Sequence, residues 1–234
     1  MRWVSVLWVV AACDPTIAGS DDLYSYGADN RVLCGLSIDD KSGLSTGELE
    51  DGIARAARDD MTVHLYAHRP GQTVRVDTIE TVLAAAAEHE LAFHTYRELA
   101  EGKGLALSFD DQDLEGWTSL RPLFERYGAR VTFFITRYHL FDDTARQQLR
   151  DLANDGHDIQ YHSTSHLDAK ETSRELGLEG YLAEDILPDL ELMRADGYAP
   201  TAFAYPNGAR SVATDGLLLR HFDLLRAMHF HCPN

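Results

Sequence analysis

Positive charge is in short supply in this chain: 21 lysines and arginines stand against 38 aspartates and glutamates, for a formal net charge of −17 at pH 7. That balance argues against nucleic acid or an anionic lipid surface as the main partner, because both are polyanions. An acidic surface tolerates neutral or cationic substrates instead. Long hydrophobic runs are missing too, since the N-terminal one, Trp3 to Ala12, is too short to span a bilayer. Cysteine is scarce, with Cys13, Cys34 and Cys232 the only three in 234 residues. A chain of that length suits one domain with a single core.

The short apolar run behind Met1-Arg2 has the form of a secretory signal peptide, so residues 1–12 read as a processing segment. It ends Val10-Ala11-Ala12-Cys13, which resembles a bacterial lipobox and implies cleavage before Cys13 and a lipid on that residue. An ordinary signal cut near Ala18-Gly19, or a buried strand, would explain the same run. Residues 13–30, rich in Gly, Ser and Asp and without periodicity, are expected to be the lipidated Cys and a flexible linker, with the domain over 31–234. The expected location is outside a bacterial cell, as an envelope lipoprotein held to its membrane only through Cys13.

Two stretches carry the chemistry. Leu105 to Phe109 alternates as a buried strand does and delivers Asp110 and Asp111 to its end. About fifty residues later the run Ile159 to Tyr161 leads into His162-Ser163-Thr164-Ser165-His166, whose two imidazoles, four apart, fall on one face of a helical turn. One carboxylate with two neutral imidazoles is a three-ligand set for a catalytic divalent ion, and the second carboxylate is left free as a base. Taken singly, paired acids at a strand end also suit a solvated turn or a helix cap, and an isolated H-x-x-x-H suits a surface.

Around them, strand-like segments centre on Val32, Val63, Leu105, Val131, Ile159, Ala202 and Leu224. Helical spacing covers Glu48 to Arg58, Asp77 to Glu90, Trp117 to Tyr127, Thr144 to Asn154 and Leu182 to Ala195, with an irregularity expected at Pro188. Strands separated by helices predict a mainly parallel sheet with its functional residues at the C-terminal rim.

Ser108-Phe109-Asp110-Asp111 followed by His162-Ser163-Thr164-Ser165-His166 resembles the first two motifs of the polysaccharide deacetylases of carbohydrate esterase family four, the NodB-homology domain. The resemblance covers roughly residues 32–228. It implies an α/β fold, a distorted seven-stranded (β/α) barrel, and a metal-dependent amide or ester hydrolase. Leu65-Tyr66-Ala67-His68 and the helix and short strand after it resemble the last part of the family's domain, yet here they stand first. The chain therefore resembles the circularly permuted deacetylases that act on bacterial exopolysaccharide (poly-N-acetylglucosamine).

The resemblance implies that Asp111, His162 and His166 hold the ion, with Zn favoured and Co or Ni suited to the same donors. It implies that Asp110 is the general base and His68 the general acid. Asp39 or Asp40, on the adjacent strand, could hold the His68 imidazole. Phe203-Ala204-Tyr205-Pro206-Asn207-Gly208 resembles the third motif, whose backbone N–H, here that of Asn207, stabilises the oxyanion. Three positions depart from the family: Ala204 replaces an Arg that orients the base, Asn207 a Tyr, and Gln112 a Gly, either narrowing the pocket or altering its turn. Arg226 either supplies the missing charge or is an exposed arginine.

The implied activity is removal of N-acetyl groups from a hexosamine-containing polysaccharide. An O-acetyl esterase on xylan or another polymer would use the same site. A carbohydrate-binding protein with the same barrel and little turnover is the reading of another class. A permuted ring must close between the first and last strands, which would bring Cys34 near Cys232. A disulfide between them, or Cys34 as a small apolar core residue, are the two readings.

Overall fold

The computed structural model describes residues 16–28 and 30–232. The signal segment and Cys13 lie outside the described residues. Seven parallel strands form a closed ring: β2 (Val32–Ser37), β3 (Thr62–Ala67), β5 (Gly104–Asp111), β6 (Thr132–Ile135), β7 (Asp158–Tyr161), β8 (Ala202–Ala204) and β9 (Leu224–Met228). Each pairs with the next, and β9 closes on β2 in the register Val32↔Leu225 to Gly35↔Met228. All seven expected strand centres fall in or next to these strands, and the circular permutation is present.

Two short strands fill places where the ring splays. β1 (Tyr24–Ser25) pairs antiparallel with the start of β3, and β4 (Ala92–Phe93) pairs with the start of β5 before β6 takes over at Ser108. Gly104 is required where β3, β4 and β5 converge. A Cβ there would come within 2.5 Å of the His94 ring and 2.8 Å of Thr62 Oγ1.

The two-residue period of a strand sorts the side chains into layers. Leu105, Leu107 and Phe109 of β5, Tyr161 of β7 and Phe203 of β8 face the helices and join the main core. The opposite parity points inward, where Leu33, Ala106, Phe134, Ala202, Ala204 and Leu224 form a small inner cluster. Asp39, His68, Asp110, His162 and Arg226 share that inward parity. Their place at the C-terminal mouth follows from register alone.

Helices α1 (Thr46–Asp59), α2 (Val76–Glu88), α3 (Leu114–Ser119), α4 (Arg121–Tyr127), α5 (Asp143–Asn154), α6 (Ala169–Tyr181), α7 (Leu187–Ala195) and α8 (Val212–Leu218) cover the ring. Local chemistry sets several starts: Ser45 and Glu48 form a capping box at α1, and Asp142 and Asp168 accept the first free N–H groups of α5 and α6. None of the described helices is long and apolar enough to cross a membrane.

The structure corrects the sequence reading in two places and bears it out in a third. The expected flexible linker does not hold over 16–28, because Ile17 and Leu23 are buried and the Tyr24 hydroxyl donates to the Gly52 carbonyl at 3.0 Å. Few but well-placed apolar residues anchor it against α1, where no periodicity could show. The expected helix from Trp117 to Tyr127 is two, α3 and α4, with Pro122 in the first turn of α4. The helix from Leu182 carries the irregularity expected near Pro188: Leu182–Ile186 is a π turn that runs directly into α7 at Leu187, one residue before a proline with no N–H to give the ladder.

Candidate active site

β5 ends in two carboxylates of opposite parity. Asp110 points into the barrel mouth, while Asp111 would face the helices if the strand continued. A left-handed backbone at Asp111, φ 89°, instead turns it into the mouth. Ser163, His166 and Asn207 also have positive φ, at 72°, 61° and 55°. Such conformations cost of order 1–3 kcal/mol each in non-glycine residues and persist where the surroundings over-determine them.

His162 Nε2 and His166 Nε2 lie 3.7 and 3.4 Å from Asp111 Oδ1. The three residues offer ligand atoms all within 4.8 Å of one another. His162 Nδ1 lies 2.8 Å from the Ala204 carbonyl, so its proton belongs there and the Nε2 lone pair faces Asp111. Burial and the neighbouring His166 push the His162 pKa down to about 3, which keeps the ring neutral. This donor set fits a divalent cation. A second grouping, Asp22 with Cys34 and Cys232, does not, because its two sulfurs are joined in a disulfide.

Asp110 Oδ2 accepts from Nη2 of Arg226, which is 1% exposed and lies 4.4 Å above the Tyr66 ring. Ala204 and Arg226 are register partners on β8 and β9, so the guanidinium enters from the neighbouring strand. The reading of Arg226 as an exposed arginine is corrected. Among the described residues, Asp110 Oδ1 is buried without a hydrogen-bond partner.

His68 Nδ1 lies 2.5 Å from Asp39 Oδ2, and Asp40 is exposed, which decides between the two acids. Asp39 also accepts from the His68 N–H, Thr73 Oγ1 and Ser37 Oγ. Burial disfavours the imidazolium, but the hydrogen bond to Asp39 and the charges of Asp110, Asp39 and Asp111 outweigh it and raise the His68 pKa. His68, Asp110, Asp111, His162, His166, Asn207 and Arg226 line one cleft of about 370 Å³. Gln112 is exposed and does not line it, so the expected narrowing is absent.

A family profile described as polysaccharide deacetylase matches residues 97–221, more than half of the 234-residue chain. The chain belongs to this polysaccharide deacetylase family. The matched stretch holds Asp110-Asp111, the loop from His162 to His166 and the Pro206-Asn207-Gly208 turn but not His68, as expected when the opening strands of a permuted chain precede the rest. The fold is that of solved relatives. The BpsB deacetylase domain from Bordetella bronchiseptica is 14% identical, with 89% of this chain and 96% of that one covered at a TM-score of 0.53. IcaB from Ammonifex degensii is 17% identical, over 70% and 81%, at 0.52. A polysaccharide deacetylase from Bacillus cereus is 14% identical, over 70% and 56%, at 0.55. No curated protein matches the chain.

Two supports of this deacetylase site went unread in the sequence. Trp117 Nε1 donates to the His68 carbonyl at 2.7 Å and holds the strand end that carries the imidazole. Asp185, in the π turn, accepts from the Ser165 N–H at 2.6 Å and the Leu167 N–H at 3.4 Å, and its carbonyl accepts from Thr164 N–H. Burial pushes the Asp185 carboxyl up to about 6 against those donors. An acid within the helical stretch Leu182 to Ala195 is the signal Asp185 left, and Trp117 left none beyond its place in another such stretch.

Proposed function

We propose that this polysaccharide deacetylase is a metal-dependent hydrolase that removes N-acetyl groups from a hexosamine-containing polysaccharide. The observation that carries the reading is the meeting, in one cleft, of the Asp111, His162 and His166 donors with the Asp110–Arg226 and His68–Asp39 pairs. A divalent ion such as Zn held by the three donors would lower the pKa of a water and polarise the acetyl carbonyl.

The protein's own groups then divide the proton transfers. Asp110, fixed by Arg226, takes the proton of the water that attacks the carbonyl carbon. The developing oxyanion faces the Pro206–Gly208 turn, where the Asn207 N–H is the donor on the chain. His68, kept protonated by Asp39, gives its proton to the leaving nitrogen as the C–N bond breaks, which releases acetate and an amine. Asp39 holds the ring through Nδ1, so Nε2 is the atom that donates. The neutral acyl substrate and cationic amine product suit the chain's −17 charge.

The protein is exported and carries lipid on Cys13 in this reading. Because the chain packs on the barrel from Ile17 onward, such an anchor leaves little tether. Intact mass of the mature protein checks this, and cleavage elsewhere without an acyl mass rejects it.

The test of function is acetate release from a panel of acetylated glycans, with metal content measured on the same sample. His162→Ala and His166→Ala should lose both the ion and nearly all activity. Asp110→Asn should keep the ion and lose turnover. If Asp110→Asn abolishes metal binding while Asp111→Asn spares it, the two roles are exchanged. Release from O-acetylated xylan alone would replace the amidase reading with an esterase.

A further inference from the structure

Beside the active-site cleft lies a second groove, of about 350 Å³, between β2 with its following loop and the turn after β9. Lys41, Tyr66 and Met228 line both spaces, so the two lie side by side along the same rim. Leu36, Leu44 and Met228 give the groove an apolar floor, and Ser42 and Lys41 add polar groups at its edge. Phe230, at the far side, is 75% exposed.

The turn that presents Phe230 is tied down on every side. Cys232 is joined to Cys34 of β2, His229 Nδ1 lies 2.9 Å from Asp22 Oδ2, and the His231 carbonyl accepts from Arg210 at 3.1 Å. Gly208, beside Asn207, packs so closely beneath it that a Cβ would meet Met228 at 2.6 Å and His231 at 3.0 Å. A large aromatic ring is thus held in water, at a fixed place, beside an apolar groove.

We propose that this groove binds the sugar residue adjacent to the one being deacetylated, with Phe230 as the platform on which its ring stacks. The proposal rests on the reading of the chain as a polysaccharide deacetylase, and names how the polymer is recognised. A pyranose presents an apolar C–H face and a rim of hydroxyls, which matches Phe230, Leu36 and Leu44 on one side and Ser42 and Lys41 on the other. The volume suits a small ligand, within the usual ~300–1,000 Å³. Three lining residues shared with the cleft favour the substrate's own neighbouring residue over a second copy of this chain.

The test compares N-acetylglucosamine oligomers of one to five units as substrates of the metal-loaded protein. For the wild type, kcat/KM should rise with length. In Phe230→Ala the ratio of kcat/KM for the longest to that for the shortest should fall roughly five- to tenfold, mainly through KM, a size expected for one lost stacking contact. Phe230→Trp should restore it. A Phe230→Ala profile that matches the wild type overturns the proposal. So does a wild-type dimer that Phe230→Ala dissolves with its length profile intact, which would give the face to a second copy. If the wild type releases no acetate from any oligomer or glycan, the deacetylase reading fails on its own account. Isothermal titration with the same oligomers then decides the groove: weaker binding by Phe230→Ala supports it, and equal affinity sinks it.

Discussion

Arg226 and His68 show what single side chains carry in this site. Arg226 is buried against Asp110 and two aromatic rings, so neither charge of the pair has water to fall back on. Removing one partner of such a pair typically costs ~3–5 kcal/mol, because the other is left buried and unpaired. Arg226→Met should lower stability by that order in urea unfolding and abolish turnover, while Arg226→Met with Asp110→Asn should recover much of the stability without activity. His68 carries a pH prediction. Its folded pKa lies above the ordinary 6.5, so its contribution to stability is complete below that value and is lost as pH rises through the raised one. In its proposed role of proton donor it acts when protonated, so activity should fall on the same alkaline side. Asp39→Asn removes the charge that supports the imidazolium, and the alkaline limb of the kcat/KM profile should move to lower pH. An unmoved limb would take His68 out of that role.

Among the elements, the π turn between α6 and α7 bears on function most directly. It hangs the loop from His162 to His166 on one carboxylate, that of Asp185, and so sets where His166 stands relative to Asp111. Partners behind metal ligands typically account for 10–100-fold in affinity. Asp185→Ala should weaken Zn binding by about that factor, as read by competition with a chromophoric chelator on the folded protein. A purely structural role would lower the unfolding midpoint and leave the chelator titration unchanged. α6 was not legible in sequence, and of the π turn only an irregularity near Pro188 was. Gly177, with φ 74°, interrupts the helix, and the apolar spacing of α6 is weak. α8 was missed for a similar reason, being only seven residues long with Val212 exposed.

At the scale of the whole molecule, the ring has a seam. Its ends meet at β9 and β2, and Cys34 and Cys232, with Cα atoms 5.8 Å apart and a sequence separation of 198, are joined across it. In the chain-entropy account such a closure contributes about 3–5 kcal/mol, against typical totals of about 5–15. Cys34→Ser with Cys232→Ser should lower the unfolding free energy by that order, and dithiothreitol should do the same to the wild type and nothing to the double variant. The seam also bears on the groove beside the active site, because the same bond ties down the turn that carries Phe230.

Sequence by itself determined the parts that are local or periodic. Alternation in Leu105 to Phe109 delivered Asp110 and Asp111 to a strand end, and similar runs put His68 and His162 at the ends of strands and Arg226 within one. The motifs holding Asp111, His162 and His166 singled these three out as one candidate donor set, and the structure brings them together. Tertiary structure alone decided which carboxylate faces His68, that Arg226 rather than a residue at 204 meets Asp110, and that Asp185 suspends the histidine loop. Those contacts join residues from twenty to more than one hundred positions apart. Their energies depend on burial and on the left-handed turns at Asp111, His166 and Asn207, which no local pattern of residues encodes.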